Sequence, residues 1–156
     1  MREILFRAKR IDNGEWVEGW YQPPVEVTHC DGRKKSLGAS LTVIGQDGFL
    51  EDVYIIPETI GWFTGLTDKN RKKIFEGDII AVTFSHPNET FADLCVVEWK
   101  NAAWQTRWET GYSNGPYEDG LIYIVNNGTI IGNIHDNPEL LEGTDNTVAF
   151  EGSIGE

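Results

Sequence analysis

Three Asx-Gly dipeptides do most to limit what this chain can fold into. Asn13-Gly14, Asp31-Gly32 and Asp47-Gly48 all fall within the first 56 residues. Glycine enters positive φ without steric cost, and a neighbouring Asn or Asp side chain accepts hydrogen bonds from the turn backbone. Between alternating apolar and polar stretches, such dipeptides are hairpin corners. Each of the three is flanked in that way. "EILFRAK" puts Ile4, Phe6 and Ala8 on one face and Leu5, Arg7 and Lys9 on the other, and "GEWVEGWY" returns after the corner. "VEVTHCDGRKKSL" and "LTVIGQDGFLEDVYII" repeat the scheme.

Period two continues beyond Pro57-Glu58. "GDIIAVTF" has no clean polar face, which predicts a strand buried on both sides. "DLCVVEW", "AWQTRW", "LIYIVN" and "TIIGNI" predict further strands, parted by "KNA", "ETGYSNGPYEDG" and "NNG", and "SHPNET" reads as a loop. Only "HDNPELLEG" predicts helix: a short turn with Asn137 as N-cap, Pro138 at the first position and Gly143 as stop. The chain is therefore expected to be all-β, and 17 Gly, one Met and 12% aromatic residues suit that class. Its C-terminal half has the cadence of an SH3-like barrel: a Gly-Asp turn, an apolar strand, a loop, "VVEW", then short strands and a single helical turn.

Charge is unevenly spread. The net charge is −12. Up to Arg107 there are 13 basic and 16 acidic residues; beyond it there are nine acidic residues and no basic one. Such a surface repels a duplex, so phosphate tracking is disfavoured. The basic exceptions are Arg33-Lys34-Lys35 and the group Lys69, Arg71, Lys72 and Lys73. The two cysteines, Cys30 and Cys95, lie in no CxxC motif, and Cys95 within "LCVVEW" reads as a core residue. No apolar run has the length of a membrane span, and "MREILFRAKR" does not read as a signal peptide. A cytoplasmic protein with free thiols, off the membrane, is expected. The sequons at Asn88 and Asn127 are then accidental.

Three segments carry a family resemblance: "MREILFRAKRIDNGEWVEGWY", "ETIGWFTGLTDKNRKKIFEGDII" and "GTIIGNIHDNPELLEG". In this order they resemble the YopX family of phage and prophage proteins. The central segment is the most specific, because it joins a turn, a basic tip and a strand at fixed spacing. The family commonly has Gly after "DKN", where this chain has Arg71. The resemblance implies an SH3-like barrel with an elaborated β N-terminal part and a phage or prophage origin, and no activity or catalytic residues. It spans residues 1–142, divided into a hairpin part (1–56) and the barrel (57–142), with an acidic, loose tail at 143–156. Within it, Gly65 and Gly77 are expected at turns, and Asp78 is expected to cap backbone N–H groups.

Candidate chemistry is sparse. His29, Cys30, His86, Cys95 and His135 show no zinc spacing, and neighbours such as His29 and Cys30 face opposite ways on a strand. No metal or other cofactor is expected. There is no G-x-S-x-G, no Cys-His pair of a recognised spacing and no phosphate-cradling glycine loop. Glu51-Asp52 and Glu118-Asp119 point apart on strands, and Glu76 with Asp78 reads as turn capping. Among the six Trp, Trp62 and Trp99 are expected in the core, while Trp104 and Trp108, at i and i+4 on one strand face, are candidates for an exposed aromatic anchor.

A non-enzymatic binding or self-assembling module is the expectation, with a protein partner or a second copy preferred. In that reading the basic tip Lys69–Lys73 is an exposed turn that meets the acidic C-terminal part of another copy. The alternative is nucleic-acid binding through the basic loops and an aromatic face.

Overall fold

The computed structural model describes residues 3–108 and 120–142. In chain order the strands are β1 (Phe6–Lys9), β2 (Trp16–Gln22), β3 (Val25–Thr28), β4 (Lys34–Leu37), β5 (Ser40–Ile44), β6 (Leu50–Tyr54), β7 (Gly61–Thr67), β8 (Lys73–Phe75), β9 (Asp78–His86), β10 (Glu89–Lys100), β11 (Ala103–Trp108) and β12 (Gly128–Asn133). Helix α1 (Gly120–Asn127) precedes β12, and 3-10 turns occupy Pro57–Thr59 and Pro138–Leu141. The strands form a six-stranded sheet ordered β6-β5-β2-β1-β7-β8, a four-stranded sheet β11-β10-β9-β12 and a two-stranded ribbon β3-β4. The class is all-β, with antiparallel pairing throughout. Strands β7 and β8 join the sheet of the N-terminal hairpins, so that sheet spans the position 56/57. Among the described residues both large sheets have edge strands, β6 and β8 in one and β11 and β12 in the other.

Three corners share one local plan. In each, a backbone N–H reaches the carbonyl four residues on: His29 to Arg33, Gly45 to Phe49, and Asp68 to Lys72. The fourth residue of each corner donates back to the first: Gly32 to His29, Gly48 to Gly45, and Arg71 to Asp68. This is the three-residue loop whose last member must be left-handed. Gly32 and Gly48 take that position at φ 82° each, and Arg71 takes it at φ 66°. The Gly that the resemblance implies after "DKN" would suit this position, and Arg71 occupies it at a cost of about 1–2 kcal/mol.

The ribbon leaves the sheet for an equally local reason. Pairing of β2 with β5 ends at Gln22 and Ser40, and pairing resumes as β3–β4 from Val25 and Leu37. Between them lie Pro23-Pro24, which have no N–H to give to the ladder. Across this break every residue from Tyr21 to Ser36 is exposed.

Two cores result. One, between the sheets' β9–β12 region and α1, contains Ile74, Ile80, Val82, Cys95, Val97, Leu121, Ile124 and Ile130. The smaller contains Ala8, Ala39, Leu41 and Ile55, with Phe6, Val17, Val43 and Ile60 packed on it. Strand β9 is buried on both faces at its start, where Ile79, Ile80 and Val82 are inaccessible, and emerges by Thr83.

Several local expectations are corrected. "LIYIVN" is helix, not strand: Leu121 and Ile124, three residues apart, both reach the core. An unbroken apolar run carries no periodicity to tell the two apart. "SHPNET" is a tight turn at Pro87-Asn88 within a long hairpin, since Glu89 pairs with His86. Gly65 lies at an irregularity inside β7, between the Phe63–Phe75 and Thr67–Lys73 pairs, and its φ of 86° serves a bulge instead of a turn. Gly77, at φ 82°, does lie in the β8–β9 turn. Asn137 stands at the N-cap position but makes no side-chain cap, its Oδ1 accepting from the Asn133 N–H at 3.4 Å instead. The expectations for 109–119 and for the tail 143–156 lie outside the described residues.

Candidate functional site

The basic tip rests on a buried carboxylate. Asp68 is 4% exposed. Its Oδ1 accepts from the N–H of Asn70 and Lys72 at 2.8 and 2.9 Å, and its Oδ2 accepts from the Ile130 N–H at 3.0 Å. Burial works to raise its pKa, but these three N–H groups outweigh it and hold the carboxyl below its ordinary value. The Lys69 N–H adds a bond to the Gly128 carbonyl. The corner is therefore fixed to the start of β12, which sequence alone did not disclose. Lys69, Arg71 and Lys72 are exposed on it. Lys73 is half-buried: its Nζ donates to Glu18 at 2.8 Å and lies 5.8 Å from the Phe63 ring centre.

The tryptophans are arranged differently from expectation. Trp104 and Trp108 are half-buried and pack on the larger core. Trp99, expected inside, is 40% exposed. Trp99 pairs directly across from Trp104, so both belong to the face that carries Cys95 and Val97. Trp99 stands at the outer end of that face, beside the β10–β11 corner, where the core runs out. Rings of Trp62, Trp99 and Trp104 meet at 5.0–6.0 Å, and Trp108 meets Phe84 at 5.7 Å. Among the described residues, no ring or cation–π contact joins the basic tip to Trp104 or Trp108.

A polar cluster that the sequence reading missed joins all three resemblance segments. Arg7 on β1 forms an ion pair with Asp78, which is inaccessible. Asp78 Oδ2 also accepts from the Phe75 N–H at 2.8 Å, as the capping expectation required. Burial raises the Asp78 pKa, and the Arg7 charge opposes that rise. The Arg7 guanidinium lies over Trp16 and Phe75, 4.9 and 4.8 Å from the ring centres. Trp16 Nε1 donates to Asp136 Oδ2 at 2.6 Å, Lys9 forms an ion pair with Asp136, and Asn133 Nδ2 donates to Asp136 at 3.0 Å. Burial works against ionisation of Asp136, but the bonds from Lys9, Trp16 and Asn133 prevail and bring its pKa down to about 2. His135 lies 6.0 Å from the Trp16 ring centre, and burial, then the Lys9 and Arg7 charges, lower its pKa.

This cluster ties β1 and β2 to the β8–β9 turn and the end of β12. Its ion pairs, Arg7 with Asp78 and Lys9 with Asp136, join the two sheets, and the buried Arg7 Nε has no hydrogen-bond partner. No group of three or more His, Cys, Asp or Glu able to hold a metal occurs among the described residues. Cys30 is exposed and Cys95 buried, both as free thiols, and burial, with the Asp93 charge, pushes the Cys95 pKa up to about 12. No helix among the described residues is long and apolar enough to cross a membrane.

Two antiparallel sheets, a projecting ribbon and a polar joint between the sheets define a mostly-β protein, with one short α-helix among the described residues. The family model described as YopX protein matches residues 5–142, and the chain belongs to the YopX family. Among solved structures the chain is similar to protein yopX from Bacillus subtilis, at 18% identity and a TM-score of 0.50, covering 89% of this chain and 96% of that one. It is also similar to protein EF1440 from Enterococcus faecalis, at 21% identity and a TM-score of 0.47, covering 90% and 99%. No curated protein matches the chain.

Proposed function

We propose that this protein is a non-enzymatic binding module that holds a protein partner, further copies of itself included. The uninterrupted exposure of residues 21–36 carries this reading. A two-stranded ribbon alone in water is marginally stable. This one keeps Val25 and Val27 uncovered, at 47% and 39% exposure. A chain that retains such an element uses it against something else. Working in the cytoplasm of a bacterial host, as a phage or prophage product with an SH3-like barrel in its C-terminal half, completes the reading. The free thiols of Cys30 and Cys95 support a reducing compartment.

A second reading is nucleic-acid binding, favoured by the exposure of Lys69, Arg71 and Lys72 on a rigidly held corner. Affinity capture from phage-infected host cells, with and without nuclease, tests both. Retention of defined proteins that survives nuclease and is lost when Val25 and Val27 are changed to Lys supports the first reading. Retention that nuclease abolishes and that depends on Lys69 and Lys72 replaces it with the second.

A further inference from the structure

We infer that the β3–β4 ribbon of one copy docks on the outer face of the β2–β5–β6 region of a second copy, each copy giving and receiving one ribbon. This rests on the binding-module reading and names its partner.

The ribbon has two unlike faces. Its register pairs Val25 with Leu37 and Val27 with Lys35, which makes one face apolar with a single cation in it. The opposite face pairs Glu26 with Ser36 and Thr28 with Lys34, and Glu26 and Lys34 form an exposed ion pair. The first face is therefore the one that gains from being covered.

The receiving face is its counterpart. Ile44 pairs with Leu50 and Thr42 with Asp52, and Trp20 lies across from Thr42. All of these point away from Leu41, which lies in the smaller core, and from the buried Val53. Ile44 and Leu50 are each 66% exposed, and Trp20 is 47% exposed. Asp52 stands among them, accepting from Thr42 Oγ1 at 2.6 Å, and Glu18, two residues before Trp20 on β2, lies on the same face. An apolar strip that ends in Lys35 thus meets an apolar strip that holds Asp52.

The chain cannot make this contact with itself. The ribbon is the onward continuation of β2 and β5, so it lies beyond the end of the face those strands present. Covering that face would require both ribbon strands to reverse direction within two residues. A second copy meets no such restriction, and mutual exchange about a two-fold axis closes the assembly at two. Charge also favours a second copy. The complementarity is local: the ribbon segment 25–37 carries three basic residues against two acidic ones, and its Lys35 meets the Asp52 carboxylate of the receiving face.

The test uses the full chain in sedimentation velocity over a concentration series at low and high salt. A dimer that weakens with salt is expected. Val25→Lys with Val27→Lys, and separately Leu50→Lys, should give monomers with unchanged circular dichroism and melting temperature. Lys35→Glu should weaken the dimer at least about tenfold, and Asp52→Lys added to it should restore most of the loss. A benzophenone maleimide on Cys30, at the ribbon tip, in a mixture of isotope-labelled and unlabelled chains should crosslink to residues 42–54 of the other copy. A parent that is monomeric at every concentration overturns the inference, as does a dimer indifferent to the ribbon variants or an absent charge-swap rescue. If the parent is a monomer yet nuclease-resistant capture of a defined protein still needs Val25 and Val27, the second copy is excluded and the binding-module reading stands.

Discussion

The corners at Asp31-Gly32 and at Asp68–Arg71 are the same turn in two settings. Both close with the same pair of backbone bonds, and both use an Asp carboxylate to hold N–H groups, from Arg33 in one and from Asn70 and Lys72 in the other. Both carry clustered basic residues. The difference lies in two long-range bonds: Asp68 Oδ2 reaches the Ile130 N–H and the Lys69 N–H reaches the Gly128 carbonyl, which tie this corner to another sheet, whereas Asp31 Oδ2 reaches only its neighbour Arg33. Local chemistry sets the shape of a hairpin, and long-range bonds from Asp68 and Lys69 to β12 make this one part of the body where the other stays a projection. The tolerance of Arg71 at positive φ follows from that support, because a fixed corner can hold a residue in a conformation a free one would leave.

Removing the anchor should produce the largest effect. Asp68→Ala loses three backbone bonds to a buried carboxylate and should destabilise the protein by about 3 kcal/mol in urea unfolding. Asp31→Ala should shift the same transition far less, and equal losses would dissolve the contrast. Next, Arg71→Gly should stabilise by about 1 kcal/mol, because Gly takes the left-handed position without the steric cost. The opposite change at the free corner, Gly32→Ala, should destabilise by about the same amount. A neutral Arg71→Gly would mean the turn relaxes more than its φ of 66° implies.

Acid sharpens the comparison on the anchored side. The folded pKa of Asp136, about 2, is below its ordinary 3.8, so its bonds to Lys9 and Trp16 favour folding above that ordinary value and lose their effect as pH falls towards 2. Asp136→Asn should therefore be less stable than the parent at neutral pH, with the gap narrowing between pH 4 and pH 2 in thermal melts. A gap that widens on acidification contradicts the assignment. The smallest effect belongs to the exposed charges: Lys69→Ser with Lys72→Ser should leave stability within about 0.5 kcal/mol of the parent. A larger loss would mean these side chains brace the corner themselves.

What could be read from sequence divides along the same line. The corners at Gly14, Gly32 and Gly48 were legible because each is decided by a few adjacent residues. The capping role of Asp78 was legible for the same reason, since Phe75 is three residues away. Its pairing with Arg7 was not, because 71 residues separate them. Helix α1 was not legible because "LIYIVN" is apolar at every position that periodicity could use. The exposures of Trp99 and Trp104 came out reversed because both sit on one sheet face. Which end of that face is covered depends on packing that no alternation pattern records.

The Trp16–Asp136 bond spans 120 residues, and it sets the order in which this protein can be made. During synthesis the N-terminal part emerges first, yet Arg7 waits for Asp78, and Lys9 and Trp16 wait for Asp136. Strands β1 and β2 can form their hairpin early but cannot be locked in place until β12 has followed. A chain wired in this way has high contact order and folds slowly. Its nascent forms display unpaired strand edges for the whole of that interval, so the ribosome-bound chain is the stage at which chaperones have most to do.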